Sequence, residues 1–186
     1  MNISDLYELY LAHPHITTDS RNCPSNSIFF ALKGDNFNGN QYAMQALEKG
    51  AAYAIIDEPL QIHDARCIVV DNVLLTLQDL ARFHRKKLTI PVLGITGSNG
   101  KTTTKELCAA VLRQKYKVHY TKGNLNNHIG VPLTILGITP DVEFAIIEMG
   151  ANHPGDIQEL VEIALPNYGI ITNVGRAHLE GFGSFE

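Results

Sequence analysis

Val92-Leu93-Gly94-Ile95-Thr96-Gly97-Ser98-Asn99-Gly100-Lys101-Thr102-Thr103-Thr104-Lys105-Glu106 is the stretch that decides the fold. Val92 to Thr96 reads as a strand, glycines recur at every third position from Gly94 to Gly100, and helical spacing runs from about Lys101 to Gln114. Strand, glycine-rich turn and helix in that order make a phosphate-binding loop. The first N–H groups of a helix are unpaired and carry partial positive charge, so they attract an anion. Glycines let the backbone wrap closely around it. Lys101 reaches the β and γ phosphates, and the Thr102 hydroxyl is a magnesium ligand. Gly97, Ser98, Asn99, Gly100, Lys101, Thr102 and Thr103 are therefore the candidate residues for binding a nucleoside triphosphate. The strict motif wants glycine where Ile95 stands, so the spacing is a variant of it.

Downstream, Lys117–Thr121, Phe144–Met149 and Tyr168–Thr172 read as strands, with a helix near Gly155–Ala164 between the last two. Strands alternating with helices predict a parallel sheet, and ligands of such sheets bind beyond the C-terminal strand ends. Glu148 closes the apolar run Phe144-Ala145-Ile146-Ile147, which places its carboxylate at that edge as a candidate Mg²⁺ ligand.

Upstream lies a smaller α/β pattern. Ser4-Asp5 reads as the cap of a short helix. Ser27–Leu32, Ala52–Ile56 and Cys67–Val70 read as strands, and Lys33–Asn40 as a loop. Gln41–Lys49 and Val73 to about Lys86 read as helices, the second capped by Asp71. The prediction is an α/β protein: a small N-terminal α/β domain over 1–88, then a P-loop-type parallel-sheet domain over 89–186.

The bulk numbers exclude several classes. A formal charge of −4 on 186 residues gives no field for nucleic acid or an anionic membrane. Cys23, Cys67 and Cys108 are odd in number and lack metal-ligand spacing, so they read as reduced thiols. There is no apolar run of about 18 residues and no secretory leader pattern, which predicts a cytoplasmic protein with no transmembrane segment.

Four further segments carry a family resemblance: Thr18-Asp19-Ser20-Arg21, Gly123-Asn124-Leu125-Asn126-Asn127-His128-Ile129-Gly130-Val131-Pro132, Glu148-Met149-Gly150-Ala151-Asn152-His153-Pro154-Gly155, and Asn173 to Ser184. With the glycine-rich loop they resemble the Mur ligases, which build the peptide stem of the peptidoglycan precursor. Met149-Gly150-Ala151 after Glu148 is similar to the branch that joins D-alanyl-D-alanine to UDP-N-acetylmuramoyl-tripeptide. The resemblance implies an ATP-dependent amide-bond ligase acting through an acyl phosphate, with ATP and Mg²⁺ as cofactors, those two substrates as partners, and a monomeric state. It implies that 1–88 is a substrate domain and 89–186 the first part of an ATPase domain. It implies catalytic roles for Lys101, Asn126, Asn127 and His178. It implies metal ligation by Thr102, Glu148 and His178, and substrate contact by Thr18, Asp19, Ser20, Arg21 and Asn38. Two departures from the family pattern stand out, Asn38-Gly39-Asn40 in place of Asp-Gly-His and Asn26 in place of Gly. Family members run to more than twice this length, so these 186 residues alone are expected not to be catalytically competent. The motifs leave room for another Mur-type or folylpolyglutamate-type ligase, and for a P-loop regulatory module.

Overall fold

The computed structural model describes residues 1–59, 64–175 and 181. It opens with α1 (Ile3–Ala12), whose cap is Asn2 and not the Ser4-Asp5 pair expected from sequence. The Asn2 Oδ1 accepts the Asp5 amide at 2.9 Å, which leaves Ser4 and Asp5 inside the first turn. Then come β1 (His15–Thr17), β2 (Ser27–Phe30), the two-residue strands β3 (Lys33–Gly34) and β4 (Phe37–Asn38), α2 (Ala43–Glu48), β5 (Ala51–Ile56), β6 (Cys67–Val69) and α3 (Val73–Lys87). Strands β1, β2, β5 and β6 form one sheet in that order, all parallel. The span expected to be a plain loop holds the antiparallel β3–β4 hairpin and a 3-10 turn at Gly39–Tyr42. The cap of α3 is also one residue on from the expected Asp71: Asn72 Oδ1 accepts the Leu75 amide at 2.9 Å.

Alternation along β2 and β5 supplies two buried faces. Phe29, Ala31, Ala54 and Ile56 pack with Ala43, Ala46 and Leu47 of α2. Ile28, Phe30 and Ile55 lie on the opposite face and are fully buried, as are Leu77 and Leu80 of α3.

The chain divides into units Met1–Phe83 and His84–Glu186. The division falls within α3, ahead of the 88/89 position read from sequence, because the next two side chains are committed to the second unit. His84 Nε2 lies 3.1 Å from Ile138 O, and Arg85 Nε donates to Ala164 O at 2.9 Å.

The second unit contains β7 (Val92–Thr96), α4 (Lys101–Leu112), β8 (Val118–Tyr120), α5 (Gly130–Leu136), β9 (Phe144–Glu148), α6 (Asp156–Ala164) and β10 (Tyr168–Ile171). Its sheet is parallel, in the order β10-β7-β9-β8. Leu93, Ile95 and Ile146 face Ala109 of α4. Period two sends Ala145 and Ile147 to the other face, where α5 and α6 pack on each other and on β9 and β7. Helix α5 has no counterpart among the expected elements. Its Gly130 and Pro132 look like helix breakers, but Pro132 sits in the first turn, where a missing N–H costs nothing.

Two histidines of this unit give it a pH dependence. Burial holds His84 and His119 below their ordinary value of 6.5, and this outweighs the opposing effect of the carbonyl each one faces. Both are therefore neutral when folded, while the unfolded chain takes up their protons as pH falls below 6.5. Stability is full above that value and declines as pH drops toward the depressed folded values. The slope reaches about 1.4 kcal/mol per pH unit for each histidine. Thermal melts between pH 7.5 and pH 5 are expected to show this decline, and His119→Gln is expected to flatten it.

Candidate functional site

Glycine geometry shapes the loop between β7 and α4. Gly97 has φ of 132° and Gly100 has φ of 80°, both in the left-handed region. A Cβ on Gly97 would also stand 2.2 Å from Thr172 Oγ1, so the loop lies directly against the end of β10. That contact is dense. Ser98 N donates to Asn173 O at 3.0 Å and Asn99 N to Asn173 Oδ1 at 3.1 Å. Ser98 Oγ donates to Gly175 O and accepts the Gly175 amide, while Thr172 Oγ1 donates to Asn99 O. Lys101 Nζ folds over the loop, 2.5 Å from Gly97 O and 3.3 Å from Ser98 O. Thr103 is exposed in the first turn of α4.

The adjacent strand β9 delivers Glu148. It was expected as an acid at a strand tip, and it is in fact nearly fully buried, at 1% exposure. Thr102 Oγ1 donates to its Oε1 at 3.2 Å, and Asn126 Nδ2 donates to the same oxygen at 2.8 Å. Thr121 Oγ1, at the end of β8, accepts the Glu148 amide at 2.9 Å. Asn126 is itself fixed by its backbone, since its carbonyl accepts the Gly150 amide at 2.7 Å. The structure thus brings Thr102, Asn126 and Glu148 together at the C-terminal edge of the sheet, beside Lys101.

Asn127 is engaged locally through its side-chain oxygen. Its Oδ1 accepts the amides of Ile129 and Gly130 at 3.1 and 2.8 Å, which ties it to the start of α5. The candidate His178 lies outside the described residues. Among the described residues there is no cluster of three or more histidine, cysteine or acidic side chains suited to a metal. The residues present nevertheless fit a magnesium ion. Thr102 Oγ1 and Glu148 Oε1, 3.2 Å apart, match the edge of ~3 Å that an octahedral ion with oxygens at ~2.1 Å presents. All the donors are hard oxygens, which suits that ion.

Sequence reasoning missed two participants, Thr121 and Lys105. The signal available for Lys105 was its position one helical turn after Lys101 on α4, which puts both on one side of the helix. A buried lysine is rare enough that a solvated face is the default expectation.

In the first unit, Thr18, Asp19, Ser20 and Arg21 follow β1. Asp19 and Arg21 pair with each other through two hydrogen bonds of 2.9 Å. The Arg21 side chain, followed by its backbone N–H, holds the Asp19 carboxyl down at about 2. Arg21 remains 83% exposed, which leaves its guanidinium available to an anion. Ser20 is buried and donates to Gln45 Oε1 at 3.3 Å. Thr18 is half-buried. Asn38 accepts from the Asn40 backbone and side chain and donates to Glu58 Oε2 at 2.8 Å, so it braces the hairpin. Asn40, which the family pattern replaces by histidine, is 2% exposed and bonds the Asp57 side chain and backbone.

A family profile described as the Mur ligase family catalytic domain matches residues 14–100, and one described as the Mur ligase middle domain matches residues 95–186. The UDP-N-acetylmuramoyl-tripeptide–D-alanyl-D-alanine ligase of Bacillus subtilis (strain 168) is 40% identical over all of this chain, which covers 43% of that relative. A crystal structure of MurF from Acinetobacter baumannii superposes with a TM-score of 0.88 at 34% identity, over 96% of this chain and 42% of that one. The MurF ligase of Thermotoga maritima in complex with ADP gives 0.85 at 37% identity, over 94% of this chain and 41% of that one. The chain therefore spans about two-fifths of the length of the relatives it matches.

Proposed function

The chain belongs to the Mur ligase family, and on that premise we propose that it is the nucleotide-loop portion of an ATP-dependent ligase that joins D-alanyl-D-alanine to UDP-N-acetylmuramoyl-tripeptide. The observation that carries the proposal is the convergence of the Thr102 hydroxyl and the Glu148 carboxylate, 3.2 Å apart, on the glycine loop. That arrangement suits a metal-bound triphosphate.

The chemistry follows from what a carboxylate lacks. Its own oxide is a poor leaving group, so amide formation needs activation. A carboxylate oxygen of the tripeptide attacks the γ-phosphorus and ADP leaves. The D-alanyl-D-alanine amine then attacks the acyl carbon, inorganic phosphate leaves and the nitrogen loses a proton. Lys101 and the loop amides neutralise charge on the transferring phosphoryl group. When bound, Mg²⁺ supplies further neutralisation, held by Thr102 and Glu148 with His178 as the third candidate. Asn126 orients the carboxylate that would take the metal. In the N-terminal unit, Arg21 is assigned to an anionic group of the UDP-sugar, with Thr18, Asp19, Ser20 and Asn38 shaping that contact.

No helix among the described residues is long and apolar enough to cross a membrane. We assign the protein to the cytoplasm as a monomer. The residues that complete catalysis are assigned to the part of the relatives that this chain does not cover.

The decisive experiment is coupled ADP release by the protein carrying this chain. UDP-N-acetylmuramoyl-tripeptide, D-alanyl-D-alanine and Mg·ATP together are expected to give ADP and one new amide bond. Omitting either acceptor or donor is expected to stop it. ADP release without any UDP-sugar would instead identify a nucleotide-hydrolysing module, and release with a different amino-acid donor would identify another branch of the family.

A further inference from the structure

Lys105 is the one fully buried lysine among the described residues, with its side chain 1% exposed. An ammonium taken out of water needs a partner of opposite charge. Its buried partner is Glu148: Lys105 Nζ stands 3.3 Å from Glu148 Oε2, and that carboxylate is 2% exposed. The half-exposed Glu106 lies on the other side at 3.5 Å, and the Tyr120 ring centre is 5.9 Å away.

The two Glu148 oxygens are treated differently. Oε1 receives Thr102 and Asn126. Oε2 is buried and accepts no hydrogen bond among the described residues, so its neighbour is the Lys105 charge. A carboxylate held on one oxygen alone can rotate about its terminal bond. The ammonium beside the far oxygen attracts it and so opposes that rotation, which favours Oε1 turned toward Thr102 and the glycine loop.

We propose that Lys105 is a positioning residue that fixes the orientation of the Glu148 carboxylate, and so the direction in which its Oε1 lone pairs meet the divalent ion accompanying the nucleotide. The proposal rests on the reading of Glu148 as a metal-site residue. Lys105 touches neither nucleotide nor metal in this role. It acts through the carboxylate, as outer-shell partners of metal ligands do.

The test separates nucleotide affinity from its enhancement by metal. ADP binding is measured by calorimetry in EDTA and at saturating Mg²⁺, for the parent and for Lys105→Met, Glu148→Gln and the double variant. Lys105→Met is expected to bind metal-free ADP within about two-fold of the parent, while the Mg²⁺ enhancement falls by about ten- to a hundred-fold. Glu148→Gln is expected to lose the enhancement to a similar extent. The double variant is expected to match Glu148→Gln, since a residue acting only through Glu148 has nothing further to lose.

Full Mg²⁺ enhancement in Lys105→Met would overturn the assignment. So would a parallel fall in metal-free and metal-assisted binding, which is what a merely structural role predicts. If Lys105→Met does not fold, the double variant, which removes both buried charges, is compared with Glu148→Gln alone. Extra loss in the double variant then counts against the proposal and equality supports it. A parent that binds ADP with no Mg²⁺ enhancement would instead overturn the metal reading of Glu148, and the role of Lys105 with it.

Discussion

Lys101→Ala is expected to lower the ADP-forming turnover at least about a hundred-fold, while the melting temperature falls by no more than about 5 °C. The first half follows from where the ammonium sits. Lys101 Nζ is held against Gly97 O and Ser98 O, over the mouth of the loop. Its position at the start of α4 puts the charge beside the phosphates that the helix amides would receive. Removing a group that stabilises charge in the transition state costs two to three orders of magnitude in comparable sites. The second half follows from its surroundings. The loop is partly exposed, and only two hydrogen bonds to loop carbonyls are lost, a loss of about 1 kcal/mol. Steady-state ADP release and a thermal melt on the same preparation check both halves. A variant that melts early would show that Lys101 holds the loop together; one that keeps full turnover would remove it from the chemistry.

Arg85→Met is expected to do the opposite: it should lower the stability of the second unit by about 3–4 kcal/mol while leaving the glycine loop chemically intact. Arg85 is 6% exposed and, among the described residues, has no carboxylate as a hydrogen-bond partner. Its guanidinium donates to Ala164 O and Leu165 O at 2.9 Å, and to Leu88 O and Asn167 Oδ1 at 3.1 Å. Two of those carbonyls belong to the end of α6, which finishes on Leu165 in a left-handed conformation. The last carbonyls of a helix need donors, and the negative end of its dipole favours a cation. Methionine fills the volume and strands these acceptors in a buried place. In a unit of this size the melting temperature should fall by about 15–25 °C. Lysine at this position should recover only part of the loss, because a single ammonium cannot reproduce the planar fork. Differential scanning calorimetry on the three proteins decides the matter.

The loop and its strand were legible in the sequence because strand formers, glycine spacing and helix periodicity all agree between Val92 and Leu112. Glu148 was legible for a related reason: in a parallel sheet, a polar residue closing an apolar strand falls at the ligand edge. Its burial was not, since that depends on Thr102, Lys105, Thr121 and Asn126 arriving from three other segments. Helix α5 was hidden by Gly130 and Pro132, whose local preference to end helices gives way once proline sits in the first turn. Strands β3 and β4 are two residues each, too short for alternation to register. The caps of α1 and α3 lie one or two residues from where side-chain type alone suggested, because Asn2, Ser4 and Asp5 at one helix start, and Asp71 and Asn72 at the other, put several acceptors within reach of the same amides. The contact of Asn127 with the start of α5 was not legible either, because that helix was itself not expected; its side-chain oxygen accepts the Ile129 and Gly130 amides.

The ties between the glycine loop and the end of β10 make that strand end a competitor for the ligand's own donors. The amides of Ser98 and Asn99 that would greet a phosphate are those that Asn173 engages. Two claimants on one set of N–H groups are linked in equilibrium, and the linkage is reciprocal. If a nucleotide takes those same amides, pulling residues 173–175 away from the loop would raise the loop's affinity for it, and the nucleotide would loosen residues 173–175 by the same factor.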